Sequence, residues 1–300
     1  LKKYPKATVV STAKGFQFME QFFPEFFAGQ GLPAEQRIVA ANDGVLELGQ
    51  HSLHFVYAPM VHWPEVMMTY EATEKILFAA DGFGKFGALD VEEEWANEAR
   101  RYYIGIVGKY GPQVQAVLKK AAGLDIQTIC SLHGPVLKEN LGFYLEKYDK
   151  WSSYQPEESG VVIAYASVYG NTRNAAEYLA DVLQEKGQKT VLYDLARCDK
   201  AEAVADDFRY DRLVLAGITY NGDLFPCMRS FIEGLTERNY QNRKVAIIEN
   251  GTWAPMAGKL ILGMFEKSKN LTFTETTVSI KSAMNAQNKD EIGKLAEELC

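Results

Sequence analysis

Two rhythms of apolar and polar positions divide this chain. From Val161 onward, short aliphatic and β-branched runs alternate with segments whose apolar residues return every three or four positions. The runs are GVVIAYA (160–166), KTVLYDL (189–195), RLVLAGI (212–218), RKVAIIEN (243–250) and TFTETTVSI (272–280). Each is short enough for a strand, and each is followed by a segment of helical period, from TRNAAEYLADVLQEKG (172–187) to KDEIGKLAEELC (289–300). Five strand–helix alternations predict an α/β, doubly wound, five-stranded parallel sheet covered on both faces, over residues 161–300. The first 150 residues run differently. Strand-type clusters come close together (ATVVST, QRIVAA, GVLEL, HSLHFVYA, MMTYEA, EKILFAA), then two helical segments at 91–110 and 112–123, then IQTICS ending on LHGPV. That order predicts an α+β, sandwich-like layer over 1–150. The polar stretch at 151–160, with Pro156 and Gly160, is expected to be a linker.

Composition narrows the field. Three hundred residues exceed one typical core and suit two domains. A net charge of −7, with no basic cluster, gives no electrostatic footprint for nucleic acid. No apolar run approaches the roughly 18 to 20 residues of a membrane span, and LKKYPKATVV carries no signal-peptide core, so the expected location is cytoplasmic. Cys130, Cys198, Cys227 and Cys300 are widely spaced with no CxxC pair, and read as reduced, mostly buried thiols.

Three predicted strand ends in the second half carry unusual loops. In open α/β sheets, ligands gather at the carboxyl ends of strands. The first loop holds Ser167, Val168, Tyr169, Gly170, Asn171 and Thr172, hydroxyls and amides at a helix N-terminus, where unpaired N–H groups and the helix dipole favour a phosphate. The second holds Thr219, Tyr220, Asn221 and Gly222, and the third Asn250, Gly251, Thr252 and Trp253. Tyr220 and Trp253 are placed to flank a flat ring. The chain has no GxGxxG and no GxxxxGK[ST]. One phosphate and one flat ring point to FMN. Residues 161–300 resemble a flavodoxin domain, with SVYGNT matching its phosphate loop.

In the first half, His62 and His133 each follow an apolar strand and precede a proline-containing turn, and Asp81 ends another strand beside glycines. A carboxylate leaving a buried strand is costly unless paired or metal-bound. Read alone, each also fits an ordinary strand end. His51 and His54 read as surface or edge residues.

The block FVYAPMVHWPEVMMTYEATEKILFAADGFGKFGA, followed by CSLHGPV, is similar to the metallo-β-lactamase-like domain of the flavodiiron (A-type flavoprotein) family, in which that domain is fused to a flavodoxin domain. The resemblance implies a partial metallo-β-lactamase-like αββα sandwich followed by the flavodoxin-like sheet. It also implies that His62 binds one non-haem iron, His133 a second, and Asp81 bridges the two. The activity implied is oxidoreductase chemistry: electrons pass from rubredoxin or a flavin reductase through FMN to the diiron centre, which reduces dioxygen to water or nitric oxide to nitrous oxide. The assembly implied is a head-to-tail homodimer or dimer of dimers. The family's upstream H-x-E-x-D-H ligand run does not occur here, and the chain opens on Leu1. The expectation is therefore an N-terminally incomplete metal domain. The rival readings are a short variant acting as an FMN electron carrier without a working iron site, and a zinc hydrolase of the shared fold.

Overall fold

The computed structural model describes residues 3–27 and 32–300. The chain falls into two compact parts that divide between Ser153 and Tyr154.

In the N-terminal part, β1 (Val9–Ser11) leads into α1 (Ala13–Phe22) and the short α2 (Pro24–Phe27), and then pairs in parallel with β2 (Arg37–Val39). The Thr12 side chain caps α1 by accepting from the Gly15 amide at 2.9 Å. Next come β3 (Val45–Leu48), β4 (His51–Tyr57), β5 (Met67–Glu71) and β6 (Ile76–Phe78), then helices α3 (Trp95–Ile106) and α4 (Gly111–Ala121), β7 (Thr128–Cys130) and α5 (Leu141–Ser152). Strands β3 to β7 form one sheet in sequence order, antiparallel except for the parallel pair β6–β7. That parallel pair matters for function because it brings the ends of β6 and β7 side by side. Helices α3 and α5 pack through aromatic rings: Trp95 stacks on Trp151 at 5.9 Å, and Tyr103 and Trp151 are fully buried. His51 is exposed and faces Glu71 across the β4–β5 pair at 3.1 Å.

Helices α1 and α5 stand where the hydrophobic pattern carries none. In α5, charged Glu146 and Lys147 precede the buried Tyr148, and Asp149 and Lys150 separate it from the buried Trp151, so the apolar stripe is narrow. Residues 151–152 thus belong to a helix and 158–160 to a strand, leaving a shorter connection than the linker expected at 151–160.

The C-terminal part contains β8 (Glu158–Tyr165), α6 (Asn171–Glu185), β9 (Thr190–Asp194), α7 (Lys200–Arg209), β10 (Tyr210–Tyr220), the two-residue β11 (Asp223–Leu224), α8 (Pro226–Thr236), β12 (Arg243–Asn250), α9 (Ala257–Met264), β13 (Leu271–Ile280) and α10 (Ala286–Glu298). Five parallel strands lie in the order β13-β12-β10-β8-β9, and β11 folds back on β10 as a small hairpin. This is the flavodoxin-like doubly wound order, whose reversal point lies between β8 and β10. Helix α6 buries Ala175, Ala176, Leu179, Ala180 and Leu183 against Ile163, Val214 and Ile248, and α10 adds Ile292 and Leu295 to the same face. Full burial of each such aliphatic side chain is worth about 1.5–3 kcal/mol. Gly187 at φ 76° closes α6, with the Gln188 amide reaching Leu183 O and the Gly187 amide reaching Gln184 O, the paired bonds of a Schellman stop.

The thiols are free, as expected, but less buried than expected. Cys130, Cys198 and Cys227 are half-buried and Cys300 is exposed, and all four are free. Cys300 follows the last helix, where no element covers it. Among the described residues no helix is long and apolar enough to cross a membrane.

Candidate functional sites in the two parts

The three loops singled out in the C-terminal part meet around one cleft of about 490 Å3. It is lined by Ser167, Val168, Tyr169, Asn171, Thr172, Thr219, Tyr220, Asn221, Gly222, Asn250, Gly251, Thr252 and Trp253. Gly170 does not line it. At φ 87° it makes the turn that starts α6, and no side chain caps that helix end. Beside this turn the Ser167 hydroxyl oxygen is buried and has no hydrogen-bond partner among the described residues. A buried hydroxyl without a partner, next to uncapped amides at the start of a 15-residue helix, is an arrangement that suits the acceptor oxygens of an anion.

The second loop is a two-residue hairpin turn. Asn221 (φ 51°) and Gly222 (φ 72°) both occupy the left-handed region, as a type I′ turn requires, and Asn-Gly is its favoured pair. Asp223 holds the base of the turn, accepting from the Leu224 amide at 2.7 Å and from Arg229; these bonds keep its carboxyl below the usual range. Thr219 accepts from the Met256 and Ala257 amides at 2.8 and 3.2 Å, so its hydroxyl ties the second loop to the start of α9. In the third loop a Cβ on Gly251 would meet Pro255 Cα at 2.8 Å, a close approach that only glycine permits. Tyr169 and Trp253 are 91% and 89% exposed, which leaves their ring faces open to a ligand.

In the N-terminal part the structure also brings His62, Asp81 and His133 together. His62 Nε2 lies 3.3 Å from Asp81 Oδ2, and His133 Nε2 lies 3.2 Å from Asp81 Oδ1. The parallel β6–β7 pair continues past its last rung to set this geometry: the Ala79 amide donates to Cys130 O, the Leu132 amide to Ala80 O at 2.8 Å, and the Lys85 amide to His133 O. Gly84 is required here, since a Cβ would meet His133 O at 2.9 Å. The Tyr102 ring lies tilted against that of His133 at 5.7 Å, and burial, with the negative Asp81 nearby, pushes its phenol up to about 12. His62, Lys85, Tyr102 and His133 line a shallow cavity of about 580 Å3. Among the described residues no group of three or more His, Cys, Asp or Glu is arranged to hold a single metal ion.

Comparisons with known proteins show what these features resemble. Residues 163–285 match the flavodoxin family model. The anaerobic nitric oxide reductase flavorubredoxin of Aeromonas hydrophila is 28% identical over 220 residues, 69% of this chain and 44% of that protein. Two solved structures share the fold: rubredoxin oxygen:oxidoreductase from Desulfovibrio gigas (TM-score 0.87, 21% identity, 97% of this chain and 73% of that one) and the flavodiiron protein from Giardia intestinalis (TM-score 0.87, 22% identity, 99% and 74%). In sequence and in fold the chain is similar to flavodiiron proteins and flavorubredoxins. It spans about half the length of the curated relatives that it matches.

The cleft has four further lining residues that the sequence reading missed: Ile218, Ala254, Met256 and Ser282. Ile218 and Ala254 are chain neighbours of residues already named, and Met256 lies three positions beyond Trp253. Ser282 follows strand β13, and the rule that ligands gather at strand ends, extended to the fifth strand, would have found it. Tyr102 had no sequence signal, because helix α3 reads as an ordinary amphipathic segment.

Proposed function

We propose that this chain is the flavin-binding portion and part of the metal-binding portion of a flavodiiron oxidoreductase that reduces dioxygen to water or nitric oxide to nitrous oxide. The observation that carries this reading is the meeting of three strand-end loops around one cleft whose buried Ser167 hydroxyl lacks a partner. The residues fit FMN. Ser167, Thr172 and the amides of the turn through Gly170 would hold its phosphate, and Tyr220 and Trp253 would flank its ring. The residues also fit part of a bridged two-iron site: Asp81 presents one carboxylate oxygen to each imidazole, the arrangement a shared carboxylate needs. When bound, FMN would supply two-electron redox chemistry, and a pair of irons would supply open coordination positions for a diatomic molecule. Within that setting this chain orients His62 and His133 through the Asp81 turn, and Tyr102 keeps its proton across the physiological range.

The names of relatives support the substrate class, one being called a nitric oxide reductase flavorubredoxin and another a rubredoxin oxygen:oxidoreductase. A rubredoxin or a flavin reductase is accordingly the proposed donor, and a head-to-tail homodimer or dimer of dimers the proposed assembly. The test is flavin and metal per purified chain. About one FMN, with iron that disappears on changing Asp81, supports the proposal; no flavin refutes it. A second reading is an FMN electron carrier without a working iron site, in which the contacts of His62 and His133 with Asp81 at 3.3 and 3.2 Å are ion pairs that need no metal. One FMN with background iron in both parent and variant would select it.

A further inference from the structure

Ser282 is a non-glycine residue at φ 73°, a left-handed backbone that strains an L-residue. Asn250, only 6% exposed at the end of β12, holds it there. The Asn250 amide donates to Ser282 O at 2.8 Å, and its carbonyl accepts from the Ser282 amide at 3.0 Å. The last backbone rungs between β12 and β13 pair Asn250 with Ile280 and run from the Gly251 amide to Ile280 O at 3.0 Å. The Asn250 side chain therefore supplies one more rung after the main chain has turned away. The result is that the Ser282 hydroxyl meets the Thr252 hydroxyl at 2.9 Å on the wall of the cleft. Two hydroxyls carry two hydrogens and their mutual bond uses one, so the pair keeps one donor for a ligand. Strain at a non-glycine residue that ends in a cleft-lining hydroxyl is the pattern of a ligand clamp.

Position along the sheet says which end of the ligand it meets. The phosphate turn follows β8, and β13 lies three strands away. At about 4.8 Å per strand this is roughly 14 Å, the far end of a molecule whose phosphate sits at Ser167. We propose that the Asn250-held Ser282 and Thr252 hydroxyl pair is a reading element for the polar, carbonyl-bearing edge of a flavin ring, with Ser282 as a binding residue and Asn250 as its positioning residue. This rests on the cleft being a flavin site. A donor at that edge binds the electron-rich reduced ring more tightly than the oxidised one, and so raises the flavin's reduction potential.

The experiment uses the full chain, with Ser282→Gly and Ser282→Ala compared by fluorescence titration with FMN and with riboflavin, and by spectroelectrochemistry of the FMN-loaded forms. Glycine removes both hydroxyl and strain, whereas alanine removes only the hydroxyl. Both are expected to weaken FMN and riboflavin alike, about three- to tenfold, the loss of one hydrogen bond. Both should also lower the two-electron potential, by about 30 mV for each tenfold extra loss by the reduced form. Thr172→Glu, which sets a carboxylate against the phosphate, should instead impair FMN and spare riboflavin. If the parent binds FMN and the two Ser282 variants match it in affinity and potential, the proposal is wrong while the flavin reading stands. An equal or tighter FMN affinity in Ser282→Gly alone would mean that the residue only terminates a strand, which also overturns it. If the parent binds neither FMN nor riboflavin, the flavin reading itself falls and the proposal with it.

Discussion

Asp207 is the most exacting test of the packing in the C-terminal part. It is 1% exposed at the end of α7, and neither carboxyl oxygen has a hydrogen-bond partner among the described residues. The nearby Arg243 does not satisfy it, because that guanidinium is spent on main-chain carbonyls: Tyr210 and Phe208 at 2.6 Å and Tyr154 at 2.8 Å. Burial, reinforced by neighbouring Asp206 and opposed by Arg243, pushes the Asp207 carboxyl well above its ordinary range. The folded chain therefore keeps a proton that the unfolded chain releases near the ordinary value of 3.8. Below that pH both states are protonated and folding carries no penalty. Above it the unfolded state holds one proton fewer, so stability falls as pH rises until the folded-state pKa is passed. One proton corresponds to about 1.4 kcal/mol per pH unit. In a chain of this size that is a melting-temperature change of roughly 3 to 5 °C for each pH unit. Asp207→Asn keeps the shape and removes the titration. Urea and thermal unfolding of parent and variant at pH 4, 5, 6 and 7 should show curves that coincide near pH 4 and then diverge, with the variant increasingly the more stable. Parallel curves across that range would refute the claim that Asp207 folds as a neutral acid.

Three other outcomes are expected. Asp81→Asn removes the charge shared by His62 and His133, so iron per chain, measured by elemental analysis after anaerobic loading, should fall to background while circular dichroism is unchanged. Glu158 behaves oppositely to Asp207: its bond to Lys189 at 2.7 Å, with Arg209 adding to it against the cost of burial, lowers its carboxyl to about 2. Its contribution is present above about pH 4.5 and lost as pH falls toward 2. Since Glu158 is 35% exposed, Glu158→Gln should cost less than about 1 kcal/mol at pH 7 and nothing near pH 2, read from acid unfolding curves. Gly251→Ala forces its Cβ against Pro255 main chain, so the loop carrying Trp253 must move, and FMN affinity should drop several-fold with little change in melting temperature.

Much of the C-terminal part was legible in the chain because its physics is local. A buried parallel strand needs an unbroken apolar run such as 161–166, and α6 needs apolar residues at 175, 179 and 183 with a glycine to stop it. The loops at 167–172, 219–222 and 250–253 carried their own signals in Gly170, Asn221-Gly222 and Gly251, each fixed by a backbone conformation or a close approach that few residues tolerate. Helix α5 was missed because polar residues outnumber the few positions it buries, and a partner surface of aromatic rings decides its burial rather than its own pattern.

By itself, then, the sequence determined which segments are strands and helices in the second half, where the Gly170 turn into α6 begins, and that His62, Asp81 and His133 leave strand ends. Only the tertiary structure decided that the two imidazoles fall on opposite oxygens of one carboxylate, and that Asn250 reaches across to hold Ser282 in a strained backbone at the wall of the cleft. The reason is range. Periodicity and turn chemistry act over a few neighbouring residues, whereas these contacts join residues 19, 32 and 52 positions apart, and only strand order and register bring them within reach.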